Sequence, residues 1–184
     1  VNFNKITAND GVKVDRSLTK TTYEPRLFAR YDLTSFWKIS SFAGMSYSFG
    51  SINDIYGSYI LLSARNITKK DTDIQQNKSQ FVGSALEYRN PLNNIFFNVR
   101  YNFNQTDKNI LFSYTQDPSN QQNIVEGLNI DNTAKTNSVR TELGKYFPKF
   151  KTNASVSYNY SINNFQQLTN NVLNNVESQN QGYS

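Results

Sequence analysis

The stretch Asn90-Pro91-Leu92-Asn93-Asn94-Ile95-Phe96-Phe97-Asn98-Val99-Arg100-Tyr101-Asn102-Phe103 decides how the rest of the chain is read. Asn90 to Asn94 reads as a turn, and from Ile95 the pattern has a period of two. Ile95, Phe97, Val99, Tyr101 and Phe103 share one face, and Phe96, Asn98, Arg100 and Asn102 share the other, because successive strand side chains point to opposite sides. A soluble sandwich would bury the apolar face in a core. A transmembrane barrel would turn it to lipid and leave Asn and Arg facing a wet interior. The neighbouring strands and the lengths of their connections must choose between the two.

Outward from this strand the alternation recurs. Leu27, Ala29, Tyr31 and Leu33 oppose Arg26, Phe28, Arg30 and Asp32, with Pro25 at the strand's start where a missing N–H is tolerated. Trp37 to Phe49 sets Trp37, Ile39, Ala43, Met45, Tyr47 and Phe49 against Lys38, Ser40, Gly44, Ser46 and Ser48. Its length of about 13 residues suits a tilted membrane crossing, and its terminal aromatics suit an interfacial girdle, plain core packing being the alternative. Lys78 to Tyr88 is weaker, with Val82, Leu86 and Tyr88 against Phe81, Gly83, Ala85 and Glu87. Ser138 to Tyr146 opposes Val139, Thr141 and Leu143 to Arg140, Glu142 and Gly144. Thr152 to Ile162 alternates as cleanly as the first strand. Val1 to Thr22 is weakly patterned, with a turn signal at Asn9-Asp10-Gly11, and reads as the tail of one strand and a long loop.

Connections are expected at Thr34–Phe36 (short), Gly50–Gln76 (long), Asn90–Asn94 (short), Gln116–Thr133 (long), Phe147–Phe150 (short) and the Asn-rich region near Asn170–Asn180 (long). The opening strand is expected to run on through Ile110-Leu111-Phe112-Ser113-Tyr114. Strict rotation of short and long connections is built into an up-and-down outer-membrane barrel and has no cause in a Greek-key sandwich. Six strands are visible, seven or eight with the ragged ends. Arg30, Lys38, Arg100, Arg140 and Glu142 on the polar faces suit a wet or plugged interior.

Composition agrees with this exception to ordinary hydropathy. Mean hydropathy of −0.65 and 37% hydrophobic residues would describe a polar soluble chain, yet a barrel strand needs only every second residue apolar. Aromatics reach 14%, with 12 Tyr and 13 Phe, which is high for such a chain. Cysteine and histidine are both absent. Disulfide frameworks, thiolate catalysis, Ser-His-Asp triads and His- or Cys-ligated metal or haem sites are thereby excluded. The net charge of +5 is scattered, with no basic run to suggest nucleic acid. No initiator Met or leader is seen, so the chain is expected to be an internal segment: one partial outer-membrane β-barrel domain, 1–184, with plug and signal peptide absent.

The segments Glu24-Pro25-Arg26-Leu27-Phe28-Ala29-Arg30-Tyr31-Asp32-Leu33, Tyr56-Gly57-Ser58-Tyr59-Ile60-Leu61 and Tyr88-Arg89-Asn90-Pro91-Leu92-Asn93-Asn94-Ile95-Phe96-Phe97-Asn98-Val99-Arg100-Tyr101 together resemble the barrel of SusC-like TonB-dependent outer-membrane receptors of Bacteroidetes. The resemblance spans most of the chain from Tyr23. It implies an all-β, antiparallel up-and-down transmembrane β-barrel of about 22 strands, of which this chain is a multi-strand segment. It further implies an N-terminal plug, import of oligosaccharide or peptide, energy relayed by the TonB complex through an N-terminal region, a SusD-like surface lipoprotein as lid, and a place in the cell outer membrane against its lipid. The plug, the TonB-contacting segment and the carboxypeptidase-regulatory-like leader are not found in this sequence. Such a segment would line a pathway without gating or energising it.

On this reading the chain is not an enzyme. No catalytic, cofactor-binding or metal-ligating residue is assigned, and no cofactor is expected. Substrate contact is expected on the three long connections and on inward residues such as Arg100, with no single position fixed. Tyr56 and Tyr59 are candidates to stack on sugar rings, local packing being the alternative. Asp71 and Asp73 lie on a charged tip where solvation outweighs acid–base chemistry or calcium binding. The alternative reading of the whole is a soluble or surface-attached all-β ligand-binding module. A hydrolase on a small barrel is disfavoured by the absence of His.

Overall fold

Alternation of this kind can bury or present one face only if neighbouring strands keep a common phase, and they do. The computed structural model of the protein describes residues 2–9, 15–50, 59–63, 65–69, 72–116, 122–170 and 172–184, with backbone alone for 2–9 and 15–17. Every regular element among them is a strand: β1 (Asn2–Asn9), β2 (Asp15–Thr22), β3 (Arg26–Asp32), β4 (Trp37–Phe49), β5 (Ile60–Ser63), β6 (Asn66–Lys69), β7 (Gln76–Asn90), β8 (Ile95–Lys108), β9 (Leu111–Gln116), β10 (Asn123–Leu128), β11 (Asn132–Phe147), β12 (Thr152–Thr169) and β13 (Val172–Tyr183). β1 and β2 pair with each other. The other eleven form one mixed sheet that does not close, in the order β3-β4-β7-β8-β11-β12-β9-β10-β6-β5, with β13 on β12.

Seven of these strands make a wall, β3-β4-β7-β8-β11-β12-β13, in which each neighbouring pair is antiparallel. Its register aligns the apolar phases of the first six, and β13 adds Tyr183 to that face beside Gln181, Gln179 and Glu177. Tyr31, Ile39, Leu86, Val99, Thr141, Tyr158 and Tyr183 stand in one rank, each opposite the next. A second rank on the same face runs Leu27, Ala43, Val82, Phe103, Asn137, Ile162 and Gln179. The opposite face carries Arg30, Ser40, Ala85, Arg100, Arg140, Asn159 and Gly182 at one height. A slip of one residue in any pair would put that strand's apolar set on the polar side.

The turns at one end are tight and locally satisfied. Thr34 Oγ1 accepts from the backbone N–H groups of Phe36 and Trp37 at 3.2 and 3.1 Å. Asn90 Oδ1 accepts from Leu92 and Asn93 N–H at 2.9 and 3.3 Å, and Asn94 closes that turn at φ 54°, a conformation Asn tolerates. At this end Trp37 packs against Tyr88 with the rings tilted by 44° and their centroids 4.8 Å apart, and Phe36 meets the same Tyr88 edge-on.

Several sequence expectations are corrected. The Asn-rich region is not a long loop: β12 runs to Thr169 and β13 returns from Val172, so this sixth connection is short and the rotation of short and long ends there. Asn170 supports the reversal at φ 49°. The opening strand stops at Lys108; Asn109 and Ile110 break it, and Leu111–Gln116 pairs elsewhere as β9. The two long connections contain the strands β5, β6 and β10, and Val1–Thr22 contains the β1–β2 hairpin rather than a long loop. The tips at 10–14, 51–58, 70–71 and 117–121 lie outside the described residues. Two pairings, β6 with β10 and β9 with β12, are parallel, so the sheet is not uniformly antiparallel.

Glycines on the polar face accept rings from the next strand. Phe81 lies over Gly44, Phe42 over Gly83 and Phe96 over Gly144, each directly opposite its glycine. A ring laid on a strand glycine covers backbone that would otherwise stay bare. Gly83→Ala and Gly144→Ala should therefore displace Phe42 and Phe96 and cost about 1–3 kcal/mol, as overpacked sites do. Gly182→Ala, where a Cβ meets nothing within 4 Å, should be neutral or stabilising by up to about 1 kcal/mol. Denaturant midpoints of the three variants check the contrast.

Candidate functional site

The two long connections fold onto one another. Within them β5 pairs with β6, β6 runs parallel to β10, and β10 pairs with β9. β9 then joins the wall where Ser113 and Tyr114 lie beside Leu168 and Thr169 of β12. Three of the four buried hydrophobic residues of the described chain are here, Ile74, Ile110 and Leu111; the wall contributes Ala85 alone. Thr68, Thr72 and Ser113 are buried with them. Short polar links fix the arrangement. Asn123 Nδ2 donates to Asn66 Oδ1 at 3.2 Å, Asp73 N–H to Asn129 Oδ1 at 2.9 Å, and Tyr59 OH to Glu126 Oε1 at 3.3 Å.

Two asparagines tie this unit to the wall. Asn109 Oδ1 accepts from Gln76 N–H at 2.7 Å while its Nδ2 donates to Ile74 C=O at 3.1 Å. Asn132 Nδ2 donates to Ile110 C=O at 2.8 Å and to Ile130 C=O at 3.1 Å. Asn109 thus ties the end of β8 to the 74–76 segment, and Asn132 ties the start of β11 to Ile110.

At the roots of these connections lies a cleft of about 930 Å³, reached by β2, β4, β7, β8, β11, β12 and β13. Its walls are amide-rich, with Gln76, Asn109, Asn132, Asn164, Gln166 and Asn175 among them. Four lysines, Lys20, Lys78, Lys108 and Lys135, face three acids, Asp107, Asp131 and Glu177. Two rings, Tyr47 and Phe165, complete it. Lys20 is held by Gln76 Oε1 at 2.6 Å and lies 5.5 Å from the centre of the Tyr47 ring. Asp107 Oδ1 accepts from Thr133 Oγ1 at 3.0 Å and from Gln105 Nε2 at 3.2 Å. Near-balanced charge, abundant amides and two rings make a surface for a polar ligand with many hydrogen-bonding groups.

The structure brings together the ends of all three expected contact regions, since Gln76, Thr133 and Asn175 all border this cleft. It separates Arg100, which lines a different cleft with Arg140. Tyr59 does not present a bare ring face: Lys69 Nζ lies 5.3 Å from its centre. Tyr56 and Asp71 are outside the described residues. Asp73 is exposed, and among the described residues no cluster of three acids could hold a metal. Lys20, Tyr47, Lys78, Asp107 and Lys135 were not anticipated. A signal for them exists, because Lys78, Asp107 and Lys135 occupy apolar-phase positions of their strands, opposite one another or one rank apart.

No protein-family model, curated protein or solved structure matches this chain.

Replacing Asn109 by Leu removes both its acceptor and its donor and leaves Gln76 N–H and Ile74 C=O without their partner. The expected cost is about 1–3 kcal/mol per group stranded away from water. Amide hydrogen exchange should accelerate at Gln76 and in β9, while exchange in the β7–β8 ladder near Leu86 and Val99 stays as in the wild type.

Proposed function

We propose that the seven-stranded wall is part of a transmembrane β-barrel in the outer membrane of a Gram-negative, Bacteroidetes-like cell, within a SusC-like TonB-dependent importer of oligosaccharide or peptide. The observation that carries this reading is the apolar face itself. It runs in one register across six strands, β3 to β12 of the wall, with Asn137 its polar exception, and among the described residues no second layer covers it. Leu27 is 73% exposed, Val156 67%, Tyr31 66% and Leu143 54%. A water-facing sheet would not keep such a face bare, whereas lipid would cover it.

The dimensions agree. From Phe97 to Phe103 the apolar phase of β8 spans about 20 Å at roughly 3.4 Å per residue, or about 27 Å with half a rank added at each end. At a tilt of about 40° this is close to 20 Å of membrane depth, against about 25 Å for the apolar band of outer-membrane barrels. Phe147 and Phe150, 38% and 72% exposed at the tight-turn end, extend the apolar height. Polar residues begin together on this face at the other end, at Gln80, Gln105, Lys135 and Asn164. Among the described residues no strand pairs with the outer edges of β3 and β13, which leaves both for further strands of a barrel of about 22.

On this reading the tight turns face the periplasm, and the cleft at the roots of the long connections lies beyond the membrane on the outer side, on the same side of the wall as the apolar face. The polar face lines the pathway or packs on a plug. The work is binding and passage rather than catalysis. Energy would come from the TonB complex through an N-terminal region, and a SusD-like lipoprotein would sit over the connections.

Lipid-face charge tests the reading. Val99→Arg and Val156→Arg should each cost about 2–4 kcal/mol near the bilayer midplane. Asn104→Arg, on the opposite face between Phe81 and Thr136, should fold into detergent or bilayer nearly as the wild type does. Ser157 is unsuitable as a polar-face control, being buried with its Oγ 2.6 Å from that of Ser184. Refolding yield and the heat-modifiable band on gels read the difference. A chain that is monomeric and folded in plain buffer, with equal tolerance on both faces, would overturn the membrane reading in favour of a soluble binding module.

A further inference from the structure

We infer that Arg100 and Arg140 form a seat for an oxyanion, a carboxylate or phosphate group, on the polar face of the wall. The two residues are direct partners across β8 and β11. Side chains so placed start from Cβ atoms about 5 Å apart, and like charges there repel. A sheet that only needed solubility would set opposite charges at such a position.

The same face shows what compensation looks like. Arg30 stands in the same rank, three strand spacings or roughly 14 Å from Arg100, with its Nε 4.0 Å from Asp32 Oδ1. Lys38 Nζ reaches the same carboxylate at 3.9 Å. No ion pair among the described residues involves Arg100 or Arg140, although Glu87 and Glu142 lie only one rank away. Both arginines are exposed.

They open onto a common cleft of about 490 Å³. Asn102, Ser138, Asn159 and Ser161 line it beside them, and no acidic side chain does. Gly182, opposite Asn159 on β13, leaves the side away from β11 open, because nothing lies within 4 Å of where its Cβ would be. Two planar guanidinium forks, ten N–H donors and no acceptor between them, surrounded by neutral amides and hydroxyls, match the several lone pairs of one oxyanion. Binding would turn mutual repulsion into shared attraction. The strands fix the spacing of the two arginine Cβ atoms, so both charges are brought to one rung before the ligand arrives. The seat needs no lipid, and it stands or falls separately from the membrane reading.

The test uses the intact chain, in whatever medium keeps it folded, at low ionic strength. Inorganic phosphate and acetate are the probes and chloride at matched ionic strength is the control. Phosphate or acetate should raise the melting temperature saturably, as a ligand of the native state does, and chloride should not. Arg100→Gln and Arg140→Gln should each weaken that binding at least tenfold, while Arg30→Gln stays within twofold of wild type. Without oxyanion, neither single substitution at Arg100 or Arg140 should lower the melting temperature, since each removes a repulsion. If neither probe outdoes chloride on the wild type, or Arg30→Gln weakens binding as much as the other two, the seat does not exist. Should a variant fail to fold, the wild-type comparison with chloride still decides.

Discussion

Phase coherence between strands is the constraint on which the rest of this structure depends. A strand has two faces and its register fixes which face goes where, so a seven-strand wall needs six pairings that agree. They agree here because each tight turn sets one register by local chemistry. Thr34 and Asn90 cap their turns with side-chain oxygens, and Asn94 and Asn170 adopt the left-handed backbone that the reversals require. Each hairpin is thus set by residues close in sequence, and only the β4–β7 and β8–β11 pairings must be found across long connections.

Those two pairings are where the tertiary polar links concentrate. Asn109 and Asn132 do at one end of the wall what the turns do at the other, their side-chain amides holding the backbone of Gln76, Ile74, Ile110 and Ile130. The connections are long enough to carry strands of their own, and their mutual pairing makes one body of two segments. The cleft follows from this geometry. It forms where the charged ends of β7, β8 and β11 meet the roots of the connections, and its composition changes from apolar to amide and charge within one rank.

The wall was legible in the sequence because its signal is local. Ile95 to Phe103 and Thr152 to Ile162 alternate within themselves, and the structure places their apolar residues on one shared face. Trp37–Phe49 kept its bounds. What was not legible is non-local or weakly patterned. Asn66–Lys69 and Asn123–Leu128 are short, polar at their starts, and paired in parallel across more than fifty residues, so neither shows an independent period. Val172–Tyr183 was hidden for a different reason. Its Asn and Gln residues read as loop chemistry, yet as a strand they hydrogen-bond along β12, with Tyr183 against Tyr158 at 5.0 Å between centroids. The cleft was half visible: its contributing regions were named, but not the lysines and acids at strand ends that complete it.

The distribution of burial carries the argument one step further. The connections have a small core of their own in Ile74, Ile110 and Leu111, whereas the much larger wall buries only Ala85 among its apolar residues. Backbone ladders order a single sheet but do not by themselves give it the apolar burial that offsets chain entropy. A one-layer wall with a bare apolar face must therefore meet something else. The connections differ in having a core at all, although Leu61 and Leu62 of β5 remain 64% and 69% exposed. One chain thus carries a part with a small core of its own and a larger part with almost none. The boundary between them is sharp, falling on the Gln80, Gln105, Lys135 and Asn164 rank, and that is where two different surroundings would meet.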